Sequence, residues 1–255
     1  MNIKIVQDAD EMGQLAGRLA ADSIRAAIER NGTAHIILAT GASQFTVLDN
    51  LIRHHEIDWS RVIMFHLDEY VGLADTHPAS FRKYLTERFI NLVSPLKEYY
   101  LIQPEHGTES ECKRLGHLIE QHPIDVALVG IGENGHLAFN DPPADFNTEE
   151  PYIVVQLDEA CRHQQYGEGW FESMEDVPRS AISMSIHQIM KSKKIICSVP
   201  DARKAIAVKN TLEQEIGNQY PASILRNHPD CTLLLDKHSS ALLSQNIIEQ
   251  LQSRS

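Results

Sequence analysis

An α/β fold with an open, mostly parallel sheet and helices on both faces is what this sequence predicts, from three observations. Short apolar runs recur at residues 3–6, 35–39, 62–66, 126–129, 195–199 and 232–235, and several are almost continuously apolar. Strands covered on both faces read this way, because neither side meets water. Longer stretches with helical periodicity separate the runs. Turns of small residues follow two of them, at 40–43 and 130–135. In open α/β sheets, ligands bind at such strand ends.

Taken in order, the first strand leads into a helix over 9–30. Met12, Leu15, Ala16, Leu19, Ile24, Ala27 and Ile28 form its apolar stripe, with Asp8 placed to cap it and Gly32 to stop it. The second strand feeds a helix over 43–53, and the third a helix over 79–89. Further strands are expected at 100–102, 153–157 and 182–185, and further helices at 109–121, 202–213 and 239–252. The least regular stretch, 141–176, contains DPPADFNTEEP and CRHQQYGEGWFESMED. Two readings stand for it: a lid within 144–176, or a surface excursion with one helix. No internal repeat or low-complexity linker interrupts the chain, so residues 1–255 read as one Rossmann-like domain.

A chain of 255 residues can bury a sizeable core. Its 42% hydrophobic and 23% charged residues are ordinary for a soluble globular protein. The net charge of −12 argues against a nucleic-acid partner, which calls for clustered Lys and Arg. A small anion can still be held by local N–H groups and a few cations. The four cysteines form no C-x-x-C pair, and the start, MNIKIVQDADEM, has no basic segment leading into an apolar one. Reduced thiols and a cytoplasmic location are therefore expected. No apolar run approaches the ~20 residues of a membrane span. The thirteen histidines fall in no H-E-x-x-H or tight His/Cys cluster, and His54-His55 reads as a solvated helix end, so no metal is expected.

Four segments carry side chains able to do chemistry. In the first, Thr40, Gly41, Ala42 and Ser43 sit between a strand and a helix. Small residues let an anion approach the backbone, and helix N–H groups and hydroxyls can meet it. An ordinary turn with Ser43 as cap fits equally well. In the second, Asp68 and Glu69 follow an apolar run. One can enter a cleft as a base while the other points away, neither being needed for stability; alternatively Asp68 caps a turn. In the third, Gly130-x-Gly132-x-x-Gly135 formally matches a dinucleotide fingerprint, but Pro142-Pro143 block the helix that the fingerprint requires. His136 and Asp141 read better there as an acid/base pair. In the fourth, Lys204 falls in the first turn of a helix, where a cation gains nothing from the dipole. Lys204 makes more sense beside an anionic ligand, against the alternative of a solvated lysine with a packed stem.

Together these segments resemble the glucosamine-6-phosphate deaminase/isomerase family, which shares its fold with 6-phosphogluconolactonases. FHLDEYVGLADTHPASF and VGIGENGHLAFNDP carry the resemblance, supported by VPRSAISMSI and PASILRNHPDCTLLLD, over residues 36–236. D-E-Y and G-H-x-A-F-N favour the deaminase side; lactonases typically show D-E-R and G-H-T-A-S-L-F-P. The resemblance implies Asp68 as the base moving a proton between C2 and C1, and His136 as the ring-opening catalyst. Asp141 stands where the family commonly has Glu, and Asn134 where many members have Asp. Asn134 can orient His136 by a hydrogen bond, but it is neutral and cannot stabilise an imidazolium. Thr40, Gly41, Ala42 and Ser43 would be the phosphate loop, usually richer in glycine, and Lys204 the phosphate lysine. Some members add a phosphate-binding arginine before the V-P pair. Gly169-Trp170-Phe171 stand there instead, leaving Arg162 as the stand-in.

The implied reaction converts glucosamine 6-phosphate and water to fructose 6-phosphate and ammonia, with no metal or organic cofactor. The implied partner is a small sugar phosphate, with no nucleic acid and no membrane. The epimeric galactosamine 6-phosphate, lactone hydrolysis, a non-catalytic sugar-phosphate sensor and a homo-oligomeric state all stay open.

Overall fold

The computed structural model describes residues 1–252. Its strands are β1 (Asn2–Val6), β2 (Ala34–Leu38), β3 (Val62–His66), β4 (Asp68–Tyr70), β5 (Glu98–Tyr100), β6 (Val126–Val129), β7 (Tyr152–Gln156), β8 (Ser180–Met184), β9 (Lys194–Val199) and β10 (Cys231–Asp236). Seven of them make a wholly parallel sheet in the order β1-β10-β9-β6-β2-β3-β5. From the adjacent pair β2 and β6 the chain winds outward in both directions, so the switch of strand order lies between these two.

The helices are α1 (Ala9–Asn31), α2 (Phe45–Leu51), α3 (Phe81–Leu85), α4 (Asn91–Val93), α5 (Thr108–Glu120), α6 (Glu159–Gly167), α7 (Ile186–Met190), α8 (Ala205–Glu213) and α9 (Gln245–Gln252). A π turn over Thr86–Ile90 joins α3 to α4. The Asp8 carboxylate caps α1 by accepting from Asp10 N and Glu11 N at 3.0 and 2.9 Å, and Gly32 ends it at φ 80°. Alternation along each strand divides the core in two. Ile36 and Leu38 of β2, Met64 of β3 and Leu128 of β6 join α1 and α2 on one face. Ile37, Phe65 and Val129 join α5, α7 and α8 on the other. Both faces are thus covered, which is why these strands read as apolar runs.

The expected strands at 153–157 and 182–185 exist, but they leave the main sheet. β7 and β8 pair antiparallel with β4 in a second, three-stranded sheet. β4 follows β3 after a single residue, Leu67, whose carbonyl accepts from Met184 N at 2.6 Å. The chain therefore steps from one sheet to the other at the entrance to Asp68. The stretch 141–176 carries β7 and α6, and its Leu157, Cys161 and Phe171 pack with Tyr70 and Phe139 in a third apolar cluster.

Other boundaries moved for local reasons. The edge strand is Glu98–Tyr100 rather than 100–102, because Ile102 N donates to His66 Nε2 at 2.8 Å instead of to a ladder. The helix expected from 79 starts at Phe81, where Ser80 caps it. Those expected from 43 and 202 begin as 3-10 turns, Ala42–Gln44 and Ala202–Lys204, before α2 and α8. The last starts at Gln245 rather than 239. Asp236 holds the intervening chain in a turn by accepting from His238 N and Ser239 N at 3.0 and 2.7 Å. No helix is long and apolar enough to cross a membrane among the described residues.

Candidate active site

A cleft of about 320 Å³ opens at the C-terminal ends of β2, β3, β6 and β9, over the switch of strand order. Thr40, Gly41, Ala42, Ser43, Asp68, His136 and Lys204 all border it. Asn134 and Asp141 do not; they stand behind the imidazole.

The loop after β2 forms one end. Gly41 has φ 90°, a backbone setting that side-chain-bearing residues rarely adopt, and its carbonyl is fixed by the Tyr84 hydroxyl at 3.1 Å. The loop then enters a 3-10 turn and α2; Gln44 N and Phe45 N donate to Gly41 O and Ala42 O, which leaves the N–H groups of Ala42 and Ser43 at the leading end of the turn. Lys204 approaches from the turn after β9. Asp201, at φ 84°, makes that turn and takes Arg203 N on its carboxylate at 3.0 Å. Lys204 is buried, and its ammonium makes no hydrogen bond among the described residues. Desolvation lowers its pKa from the ordinary lysine value, opposed by the charges of Glu133 and Glu168.

Asp68 sits at the step between the sheets, 7% exposed, and no hydrogen bond reaches its carboxylate among the described residues. Burial, and next the charge of Glu69, raises its pKa well above the usual carboxylate range. When ionised, a carboxylate so raised is a stronger proton acceptor than an ordinary one. Glu69 points the other way, and the expectation that it is dispensable for stability is corrected. Its carboxylate accepts from Ser80 Oγ and Arg82 N at 2.9 Å, Phe81 N at 3.3 Å and Arg82 Nε at 3.3 Å. It thereby ties down the start of α3.

His136 follows the glycine turn after β6. No helix opens there: Leu137 and Asn140 close a small bridge, as the two prolines foretold. Asp141 Oδ1 lies 2.9 Å from His136 Nδ1 and 3.0 Å from Asn134 Nδ2, and Asp158 N donates to Oδ2 at 3.3 Å. Burial opposes ionisation of Asp141, but the hydrogen bond and charge of His136, then Asn134, outweigh it and hold its pKa below the ordinary value. An ionised Asp141 fixes the proton of a neutral imidazole on Nδ1 and leaves the Nε2 lone pair unspent. Asn134 reaches the imidazole indirectly. It anchors Asp141 and accepts from the backbone N of His136 at 3.1 Å, rather than bonding to the ring.

One donor set could hold a metal among the described residues: His136, Asp141 and Cys161, with ligand atoms within 4.8 Å of one another. Burial, then the Asp141 carboxylate, pushes the Cys161 thiol far up, and the thiol hydrogen-bonds to Asp141. That setting opposes the thiolate a cation would need and suits a hydrogen-bonded acid–base relay.

Charged residues that the motifs did not single out also border the cleft, among them Arg203, ion-paired to Glu133 at 3.4 Å, and Glu168, just beyond α6. Both arrive by long-range packing; Arg203 had one local signal, its place beside Lys204. Arg162 is corrected as a phosphate ligand. Its guanidinium is spent on the carbonyls of Met174 and Val177 at 2.5 and 3.0 Å, and it does not border the cleft.

A glycine-bearing loop, a buried lysine and a hydrogen-bonded His–Asp pair over the strand switch define the class: a doubly wound α/β protein with a cleft suited to a small anionic ligand. More narrowly, the chain belongs to the glucosamine-6-phosphate isomerases/6-phosphogluconolactonase family, whose model matches residues 7–234. It is 34% identical over 245 residues to a glucosamine-6-phosphate deaminase of Oenococcus oeni, covering 96% of this chain and 100% of that one. A Lactococcus lactis glucosamine-6-phosphate deaminase is 35% identical over 248 residues, with 96% and 100% covered. Among solved structures, a monomeric glucosamine-6-phosphate deaminase superposes with a TM-score of 0.85 at 32% identity, covering 95% of this chain and all of that one. A 6-phosphogluconolactonase from Shewanella baltica matches at TM-score 0.75 and 18% identity over 92% of this chain and 97% of its own, a likeness of fold alone.

Proposed function

We propose that this protein is a glucosamine-6-phosphate deaminase, forming fructose 6-phosphate and ammonia in the cytoplasm. The observation that carries the reading is the separation of two acid–base centres within one cleft: an unpartnered, buried Asp68 and a His136–Asp141 pair. Lactone hydrolysis has no use for a carbon base, and curated relatives of full length bear the deaminase name.

In this reading the 40–43 loop and Lys204 hold the phosphate, and that remote binding energy positions the sugar. His136, oriented by Asp141, moves the ring proton and frees the open-chain aldehyde. Asp68 takes the proton from C2 and returns it to C1 through an enediol-like state. Water adds to the C2 iminium, and the C2–N bond breaks as ammonia leaves. Asn134 serves by steadying Asp141.

Parallel assays of ammonia release from glucosamine 6-phosphate and galactosamine 6-phosphate test the reading, with Asp68→Asn as control. Release from the gluco epimer, lost in the variant by about 10²–10⁴-fold, is the expected result. Release from the galacto epimer alone reassigns the substrate. Release from neither sinks the deaminase reading.

A further inference from the structure

The phosphate end of the cleft contains an acidic side chain that no role above explains. Glu168 borders the cleft beside Gly41, and a Cβ placed on Gly41 would stand 4.0 Å from Glu168 Oε2. The other carboxylates at this end are spent within the fold. Asp236 accepts from Asp201 N and from the turn after β10; Asp201 accepts from Arg203 N and Arg203 Nε. Glu168 is held by the amide of Gln164 alone, and it shares the field of Lys204 and Arg203.

We infer that Glu168 competes with a bound phosphate for the charges of Lys204 and Arg203, and so sets the affinity of the phosphate subsite. The inference rests on the phosphate-binding reading of the 40–43 loop and Lys204. Two anions cannot share one cation pair in a half-buried cleft without repulsion, so an entering phosphate must displace or neutralise the carboxylate. Space exists for displacement: Glu168 also borders a neighbouring cavity of about 220 Å³ with Lys83, Arg88 and Trp170. Neutralisation is within reach as well, since burial raises the Glu168 pKa against the opposing charges of Lys204, Arg203 and His136.

The groups facing Glu168 are Lys204, Arg203 and His136, Gln164 of α6, and Tyr70 and Tyr84 from β4 and α3. Both tyrosines are raised above their ordinary values, first by burial, so neither adds negative charge near neutral pH. Glu133 adds negative charge as well, acting on Lys204 and ion-paired to Arg203 at 3.4 Å.

Titration calorimetry with inorganic phosphate on the full chain tests this in three variants. Glu168→Gln and Glu168→Ala are both expected to bind phosphate more tightly than the wild type, by on the order of tenfold. The advantage should grow as pH rises from the ordinary carboxylate range through the raised Glu168 value, where the wild-type carboxylate becomes fully charged. Lys204→Ala is expected to bind more weakly. If Lys204→Ala weakens binding while neither Glu168 variant tightens it, the competition is disproved and the phosphate site stands. If Lys204→Ala leaves binding unchanged, the phosphate site itself is misplaced and the inference falls with it.

Discussion

The imidazole of His136 occupies the space that a side chain at position 132 would need: a Cβ on Gly132 would fall 2.3 Å from its ring. The second glycine of the turn is therefore a requirement of the His136 ring, not of a dinucleotide. Gly132→Ala is expected to push the ring from its place beside Asp141. Misplacing a catalytic group by about 1 Å costs roughly 10²-fold in rate, so kcat should fall by that order. The overpacked site should also destabilise the fold by about 1–3 kcal/mol. Steady-state ammonia release and urea unfolding check the two effects.

Asp68→Asn should stabilise the protein that it inactivates. Burial first, and the Glu69 charge second, raise the Asp68 pKa above its ordinary value. An acid so raised weakens the fold as pH climbs from the ordinary carboxylate range to the folded pKa, and has no such effect below that range. The variant removes that ionisation. Its melting temperature should exceed the wild type's at neutral pH, by roughly 2–4 °C per kcal/mol, and the gap should close near pH 3. A gap that persists in acid would show that the effect is not electrostatic.

Asp141→Asn should act in the opposite sense on stability. The His136 bond and charge outweigh burial and hold the Asp141 pKa below its ordinary value, so its stabilisation is present above the ordinary carboxylate range. That contribution disappears as pH falls through the folded value. The variant should melt lower than wild type at neutral pH and converge with it in acid. A neutral amide cannot stabilise the imidazolium formed during ring opening, and kcat should drop by about 10²–10⁴-fold. Thermal melts at two pH values and initial rates read both effects.

Glu69→Ala should unfold the protein more readily than any change at Asp68. It removes the acceptor of Ser80 Oγ, Phe81 N and Arg82 N and strands part of a buried guanidinium. Breaking one side of such a pair costs about 3–5 kcal/mol, and the surviving Arg82–Glu105 contact at 2.8 Å places the loss toward the lower figure. The urea midpoint is the measurement.

The main sheet was legible because its interior strands, β6 above all, are buried on both faces and carry almost nothing but aliphatic residues. β4 was not, since Asp-Glu-Tyr has no strand signature and becomes a strand only through its ladder with β8. The glycine turn, Asp68, His136 and Lys204 were legible because each follows a strand end directly. Glu69 was misread because its five hydrogen bonds come from residues eleven to thirteen positions onward and from its neighbour Tyr70. Arg162 was misplaced and Glu168 went unnoticed, because packing of α6 and its C-terminal end decides which of them turns toward the cleft.

The hydroxyl of Ser183 accepts from Phe139 N at 3.0 Å and from Asn140 Nδ2 at 3.3 Å, while Ser183 itself pairs with Asp68 across β8 and β4. Asp68 and the turn that follows His136 are therefore tied together through the small sheet, whereas the 40–43 loop and the Lys204 turn follow strands of the main sheet. In the proposed reading, the reach from phosphate to reacting carbon is set by the 40–43 loop and the Lys204 turn, which stand outside that tie. Such a division lets a lineage retool for a longer or shorter sugar without disturbing the spacing of the two proton-transfer groups.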